Sequence, residues 1–575
     1  MKNLILASAS MLALALAAPA FAQSNESTIT QTGGTQNAEV TQDGSGNDSD
    51  VIQGGSGNIA TVTQDGTDGN STLLQTGTTN EATIDQTSIE GFVDVVQNGD
   101  NNIANVTQND ASGNDSIGIQ PVGTADPEAR INQQGDGNDS SINQTNVSGS
   151  FNLIADNNQN GDGNISTITQ EANGPGFTGS FRATVNQSNG ADSTVMQEAN
   201  NGSKNFNASV TQDDSTSSVI QTGNASTGTN NPALRAVINQ TGGSDSSVNQ
   251  TVNGAGGGDL FASVTQSAGA TSTINQSANG AASVTQDAIV NQTGVNESNI
   301  TQTFNTAGSN TFLATVTQSN SSNVSTITQE DKGSGIDSGL IATVLQNGFD
   351  NDVTINQDNK GATATVTQSG DANDAFVDQD GAGLTVNILQ DGNNNLADVS
   401  QMGGLNSSAD IDQLGDSSFA YVNQNSNARN DTAIVMQQVG SFNNVATVNQ
   451  NGISGSQSNS RAEIVQTATA TNGDATITQS GRRNNALTTQ SGDNNSSTTT
   501  QTGTGTDALG SNDSTTTQTG SNNTSGVTQN GLGNLSELTQ LGTGNGATVS
   551  QTGNGNESFV NQNGIGNMAT VTQGM

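Results

Sequence analysis

The chain has 575 residues, of which only 29% are hydrophobic, and its 52 acidic side chains far outnumber its 11 basic ones. Phosphate binding needs clustered lysine and arginine, so this charge balance disfavours DNA or RNA as a partner. The lack of cysteine and histidine excludes Ser-His-Asp and Cys-His nucleophiles, and it equally excludes zinc sites built from thiolates or imidazoles.

The first segment has the pattern of a secretory signal peptide. Met1-Lys2 precede an apolar run from Leu4 to Ala18, and Ala20-Phe21-Ala22 closes it. We therefore expect residues 1–22 to be a signal peptide cleaved after Ala22. The run is shorter than the ~20 apolar residues that a membrane span needs. No later segment could cross a bilayer either, so we expect an exported chain with no membrane span, carrying 10 basic and 52 acidic residues.

Glutamine then recurs at a constant step of 11 residues, which indicates that one small unit is stacked many times. Low hydrophobicity and high net charge are typical of disordered chains, but disorder would not maintain a fixed step. The repeated glutamines are Gln31, Gln42, Gln53, Gln64, Gln75, Gln86, Gln97, Gln108, Gln346, Gln357, Gln368, Gln379, Gln390, Gln401, Gln518, Gln529, Gln540, Gln551, Gln562 and Gln573.

Each unit reads as a strand followed by a tight arc. In one unit, Ala60, Val62 and Gln64 occupy alternate positions and so share one face of a strand, while the residues between them face the other way. Gly55 and Asn58 lie in the arc, where glycine and asparagine can adopt a positive φ at low energetic cost. The dominance of valine, isoleucine and threonine makes a helix improbable.

The inward glutamines predict a structural amide ladder. A glutamine amide is both donor and acceptor, so copies stacked at ~4.8 Å can each bond to the copy above and the copy below, as in cross-β assemblies. A column of this kind leaves only its ends unsatisfied, whereas one isolated buried amide would cost roughly 1–3 kcal/mol. We therefore predict an all-β solenoid with a thin core and polar columns.

The spacing between successive glutamines becomes irregular in the middle of the chain. Between Gln170 and Gln346, short steps between glutamines alternate with longer steps that carry Gly/Ser/Asn-rich inserts. If one coil contains two units, about 22 residues, all these inserts emerge at one edge, whereas random insertion would scatter them over both edges. We predict regular repeats over residues 23–120, repeats with loop insertions over 121–345, and regular repeats over 346–575.

The sequence motif that the repeats share, Gln-x-Gly-x-x-Asn-x-Ala-x-x-x-Gln, closely resembles the curlin repeat of curli fibres on Gram-negative bacteria. It stands here as Gln53, Gly55, Asn58, Ala60, Gln64; as Gln97, Gly99, Asn102, Ala104, Gln108; as Gln540, Gly542, Asn545, Ala547, Gln551; and as Gln562, Gly564, Asn567, Ala569, Gln573. The leading serine of that family is mostly replaced, often by asparagine. The chain is also much longer than a typical curlin subunit.

The resemblance implies a non-enzymatic structural subunit of extracellular, pilus-like amyloid fibres that are cross-β on assembly and serve cell adhesion and biofilm structure. It implies three kinds of partner: other copies in the fibre, an outer-membrane secretion pore with a nucleator subunit, and surface or host-matrix ligands. It implies no cofactor. A soluble, monomeric solenoid that binds ice, glycan or calcium is the alternative.

Other chemistry has weaker support in the sequence. The stretches 135–138 and 161–164 read Gly-Asp-Gly-Asn and resemble calcium-binding coils, but the nine-residue repeat of such coils is missing. Outward threonine pairs such as Thr61 and Thr63 could order water, as on an ice-binding face, but plain β-propensity on an exposed strand face is the favoured explanation. Arc aspartates such as Asp43 either limit uncontrolled association or are ordinary solvated turn residues.

One unit departs from the inward pattern. Between Gln490 and Gln501, the inward alanine and aliphatic positions are taken by Ser497 and Thr499. Because hydroxyl groups contribute less than alkyl groups to a buried core, we predict that the least protected coil lies there.

Overall fold

A computed structural model describes residues 24–574 apart from 113, 121–126, 147–149, 174–177, 201–204, 225–232, 254–257, 280–283, 306–309, 332–338, 426–427, 453–457 and 505–509. The predicted signal peptide, with its cleavage after Ala22, lies outside the described residues. All regular structure in the described part is β-strand, which confirms the all-β prediction.

The strands form two parallel sheets, because each strand pairs with the next but one along the chain. The first sheet contains the odd-numbered strands: β1 (Glu26–Gly34), β3 (Asp48–Ser56), β5 (Asn70–Thr78), β7 (Phe92–Asn98), β9 (Asp115–Gln120), β11 (Asp139–Asn146), β13 (Ile165–Ala172), β15 (Asp192–Ala199), β17 (Thr216–Gly223), β19 (Asp245–Val252), β21 (Thr271–Ala278), β23 (Glu297–Phe304), β25 (Val324–Asp331), β27 (Asp352–Lys360), β29 (Asp374–Ala382), β31 (Leu396–Leu405), β33 (Phe419–Asn425), β35 (Val445–Asn451), β37 (Asp474–Arg482), β39 (Ser496–Thr504), β41 (Thr524–Asn530), β43 (Gly546–Thr552) and β45 (Met568–Gly574).

The second sheet contains the even-numbered strands: β2 (Asn37–Ser45), β4 (Ile59–Thr67), β6 (Glu81–Ile89), β8 (Ile103–Ser112), β10 (Glu128–Gln134), β12 (Ser150–Asn160), β14 (Thr178–Ser188), β16 (Asn205–Asp213), β18 (Ala233–Thr241), β20 (Gly258–Ser267), β22 (Val284–Thr293), β24 (Asn310–Ser319), β26 (Leu340–Asn347), β28 (Thr363–Gln368), β30 (Thr385–Gln390), β32 (Ser408–Gln413), β34 (Thr432–Gln437), β36 (Arg461–Gln466), β38 (Asn484–Ser491), β40 (Asn512–Ser521), β42 (Leu535–Thr543) and β44 (Glu557–Ile565).

One coil is therefore one odd and one even strand, which confirms the two-unit solenoid. Gln31 pairs with Gln53, 22 residues on, whereas Gln221 pairs with Gln250, 29 residues on. The step of about 22 residues thus holds only where the connections are short. The longer connections between 146 and 340 all lead from an odd strand to an even strand, so the strand ends that flank them lie at one edge of the coil, as expected.

The core lies between the two sheets and comes from alternate strand positions. The largest apolar cluster runs from Val51 to Ala486 and consists, apart from Leu73, of alanine, valine and isoleucine side chains. A second cluster, which includes Phe181 and Leu234, occupies the corner on the side of the long connections. A third cluster begins at Val527 and is separate from the first.

Candidate functional site

The repeated glutamines form two columns, one on each sheet. Within each column, the Nε2 atom of one glutamine donates to the Oε1 atom of the glutamine one coil further along, at 2.7–3.0 Å. The odd column holds Gln31, Gln53, Gln75, Gln97, Gln357, Gln379, Gln401, Gln529, Gln551 and Gln573; the even column holds Gln42, Gln64, Gln86, Gln108, Gln346, Gln368, Gln390, Gln518, Gln540 and Gln562. Glutamines that neighbour in sequence therefore lie on opposite sheets.

Each amide also ties the two sheets together. Besides its bond to Gln86, the Nε2 atom of Gln64 approaches the carbonyl oxygen of Asp48, at the start of β3, at 3.0 Å. It approaches the carbonyl oxygen of Gly69, in the arc that follows, at 3.1 Å. Gln64 is only 1% exposed. The two N–H bonds of one buried side chain are thus shared among acceptors in its own column, in the opposite sheet and in the adjoining arc, which a leucine of similar size could not do.

Buried asparagines form further columns at the corners, and sequence reasoning did not assign them to the site. Asn80 donates through Nδ2 to the carbonyl oxygen of Gly99 at 2.8 Å, and its Oδ1 atom accepts the backbone N–H of Asn102 at 3.0 Å. The same arrangement links Asn523, Asn545 and Asn567 near the other end of the chain. The signal was present in the sequence as an asparagine five residues after many of the repeated glutamines.

The glycine two residues after the glutamine is required by close packing of successive arcs. At Gly55 the backbone has φ = +108°, and a Cβ atom would lie 1.9 Å from the carbonyl oxygen of Gly77. Gly542 has φ = +116°, and a Cβ atom there would lie 2.0 Å from the carbonyl oxygen of Gly564. No side chain fits at either position, so glycine permits the coils to stack at strand spacing.

The corner that precedes each even strand is lined by different residue types in different parts of the chain. In several short coils, the position six residues before the even-column glutamine is a buried asparagine, such as Asn58 or Asn80, whereas Ala362 and Leu384 take it in two others. Along most insertion-bearing coils the same position holds an apolar residue of the second cluster, and Gln286 takes it on β22; the apolar members are Leu153, Phe181, Phe206, Leu234, Leu260, Phe312 and Leu340. Phe181 and Phe206 stack with ring centroids 4.6 Å apart. An apolar corner thus replaces the amide corner along these coils.

Between the first and third apolar clusters the interior is lined by hydroxyl groups. Thr488, Ser497, Thr499, Ser514, Thr516 and Ser525 are buried, and their hydroxyl oxygens have no hydrogen-bond partner among the described residues. Both glutamine columns continue through this stretch, from Gln490 to Gln518 and from Gln479 to Gln501. The amide columns are therefore the main inward polar contacts that connect the coils on either side.

Aspartates in the arcs often accept hydrogen bonds from the preceding coil. Asp162 accepts the backbone N–H of Asp136 at 2.9 Å, and Asp371 accepts that of Phe349 at 2.9 Å. These carboxylates cap arc N–H groups, a role that sequence reasoning did not consider. Among the described residues, no group of three or more acidic side chains is arranged to hold a metal ion.

Asp431 differs from the arc aspartates because it is buried in a corner position where asparagine is usual. Its Oδ1 atom accepts the backbone N–H of Ser460 at 2.7 Å, whereas its Oδ2 atom has no partner among the described residues. Burial raises the pKa of Asp431 to about 6, and the hydrogen bonds from Ser460 and Ser458 oppose that rise.

A shallow groove of about 290 Å³ crosses the outer face of β16, β18, β20 and β22. Threonine, asparagine, glutamine and serine side chains line it, among them Thr211, Asn239 and Thr265. Within the described part of the chain, no helix has the length and apolar character needed to cross a membrane.

Comparison with protein families places these columns in context. The chain matches the curlin associated repeat in five segments, residues 37–66, 362–392, 392–425, 470–503 and 542–574. It carries multiple curlin repeats. All five curlin-repeat matches lie outside residues 121–345, where the corner is apolar instead of amide-lined. No curated protein matches the chain.

Proposed function

We propose that this curlin-repeat protein is a structural subunit of extracellular, curli-like amyloid fibres that mediate cell adhesion and biofilm matrix formation. The observation that carries the proposal is the continuity of the two amide columns through a stack of parallel strands. This single chain already has the geometry of a cross-β assembly, with strands perpendicular to the stacking axis and side-chain amides in register.

Assembly follows from the same contacts. Wherever such a stack stops, the last coil presents unpaired N–H and C=O groups together with unpaired glutamine and asparagine amides, and these template another copy. The net charge of the chain is strongly negative, so repulsion between copies slows association at low ionic strength, and added salt relaxes it.

The finer parts of this proposal come from the curlin repeats and from the first segment of the sequence. They are export after cleavage at Ala22, passage through an outer-membrane secretion pore, nucleation by a second subunit, and attachment to surfaces or host matrix. The division into regular repeats over 23–120, insertion-bearing repeats over 121–345 and regular repeats over 346–575 belongs to the proposal as well, as does a non-enzymatic role.

The test is conversion of the purified chain. After removal of denaturant, the chain should form insoluble, thioflavin-binding material following a lag that preformed seeds shorten. Oriented fibres should give a meridional reflection at about 4.7 Å. Protein that stays monodisperse and unaffected by seeds would contradict a fibre function and would favour a monomeric binding solenoid.

A further inference from the structure

Aromatic side chains are scarce in this chain, yet Phe376, Phe419 and Tyr421 lie close together on the outer face of the odd-strand sheet. Phe376 on β29, Asp398 on β31 and Tyr421 on β33 are register partners, so they form one column parallel to the solenoid axis. Phe376 is 39% exposed and Tyr421 is partly exposed. Most other outward columns consist of threonine, serine, asparagine and aspartate.

A second, mainly apolar column runs beside the first. Leu396 on β31 pairs in register with Phe419 on β33, and Phe419 pairs with Val445 on β35. These side chains lie two residues from the first column on the same strands, a separation of about 7 Å. We name Phe376, Leu396, Asp398, Phe419 and Tyr421 the aromatic platform.

The spacing of the platform follows from strand geometry. Phe376 and Tyr421 are separated by two strand spacings, about 9.6 Å along the axis. That distance is close to the repeat of an extended β-1,4-linked disaccharide. The polar group between the rings is the carboxylate of Asp398, and Asn423 lies two residues beyond Tyr421 on the same strand.

We propose that the aromatic platform binds an extended β-1,4-linked glycan along the solenoid axis, with alternate sugars on Phe376 and Tyr421. The C–H bonds of a sugar face carry partial positive charge and pack against the negative face of an aromatic ring. The intervening hydroxyl groups donate hydrogen bonds to the carboxylate of Asp398. The platform lies on the side of the solenoid, so the inference does not depend on fibre formation.

The local charge favours a neutral ligand over a second copy of this acidic chain. Loss of solvent, together with repulsion from Asp358, Asp380 and Asp398, raises the pKa of Asp378 beside the platform. Bringing another strongly negative surface against these carboxylates adds like-charge repulsion. An uncharged polyhydroxyl chain avoids that cost and uses the carboxylates as acceptors.

The chain provides its own reporter for the test, because Tyr421 is the only tyrosine and there is no tryptophan. The full-length protein is titrated with a soluble hexamer of β-1,4-linked glucose while tyrosine fluorescence is recorded. We expect a saturable change, and at least a tenfold weaker affinity for Phe376→Leu. The matched control is Phe559→Leu, because Phe559 is 63% exposed and occupies the same register position on β44 of the other sheet.

Several results would overturn the proposal. These are the absence of a saturable change, equal weakening by Phe376→Leu and Phe559→Leu, or equal binding of an α-1,4-linked hexamer. Concentration-dependent self-association that Phe376→Leu abolishes would assign the platform to a contact between copies instead. Asp398→Ala serves as a second variant, and unchanged circular dichroism confirms that each variant is folded. Fibre formation is scored separately by thioflavin binding, so the two proposals fail independently.

Discussion

Asn102 lies one coil beyond Asn80 and donates both its backbone N–H and its side-chain amide to the Oδ1 atom of Asn80, at 3.0 and 2.8 Å. Asn80 thereby satisfies, from one side chain, two donors of the adjacent coil. With the glutamine columns, this contact shows how a chain so poor in apolar residues closes its corners. Buried amides that satisfy one another in columns replace much of the apolar volume that an ordinary core would need.

Glycine at the arc position makes this stacking possible, and Gly542→Ala tests that requirement. The added Cβ atom would lie 2.0 Å from the carbonyl oxygen of Gly564 at a φ of +116°. We expect the local opening free energy of β42 and β44, measured by amide hydrogen exchange, to fall by more than about 2 kcal/mol. Gly544→Ala is the control, because a Cβ atom there meets open space at φ = +68°. It should cost only about 1 kcal/mol.

The hydroxyl-lined stretch between Ala486 and Val527 should be the least protected part of the described chain. Thr499 stands in register between Ile477 and Val527, and its buried hydroxyl has no partner among the described residues. Thr499→Val should therefore raise the local opening free energy by about 1 kcal/mol or more. Thr498→Val, on the exposed face of the same strand, should leave hydrogen exchange of β39 unchanged. Equal protection of β39 and β28 in the parent chain would contradict this prediction.

Asp431 should make the coils around it more stable in mild acid. Its pKa is about 6 in the folded chain and 3.8 in the reference state, so the folded chain binds the proton more tightly. Stability therefore increases as the pH falls from 7 towards 4 and is lost again as the pH rises through about 6. Asp431→Asn should remove this component and stabilise β34 and β36 at pH 7 by at most about 3 kcal/mol.

The measurement is amide hydrogen exchange of β34 and β36 at several pH values, compared between variant and parent at each pH. Asp50→Asn is the control, because Asp50 is an exposed, outward-facing carboxylate on β3. If Asp431→Asn and the parent differ by the same amount at pH 4 and pH 7, burial of the carboxylate is not the cause.

Much of the fold follows from the spacing of glutamine alone. A residue that returns every 11 positions, with Ala60, Val62 and Gln64 on one face, determines the strands, the two-unit coil and the edge at which the inserts emerge. The spacing of glutamine does not predict which type of residue packs at the corner between an odd strand and the next even strand. Asn58 and Phe181 occupy equivalent positions, six residues before an even-column glutamine, yet one forms an amide corner and the other an apolar corner. The capping by Asp162 and Asp371 depends on contacts one coil apart, which a single unit does not reveal.

The central claim is that the inward amide columns hold the coils together. Replacing Gln346, Gln368 and Gln390 by leucine removes three successive members of the even column, while leucine at Thr343, Thr365 and Asn387 changes the outward face of the same strands. The measurement is amide hydrogen exchange over β26, β28 and β30 in both triple variants. The account predicts that protection collapses in the inward variant and persists in the outward one. Parent-like protection in the inward variant would contradict it.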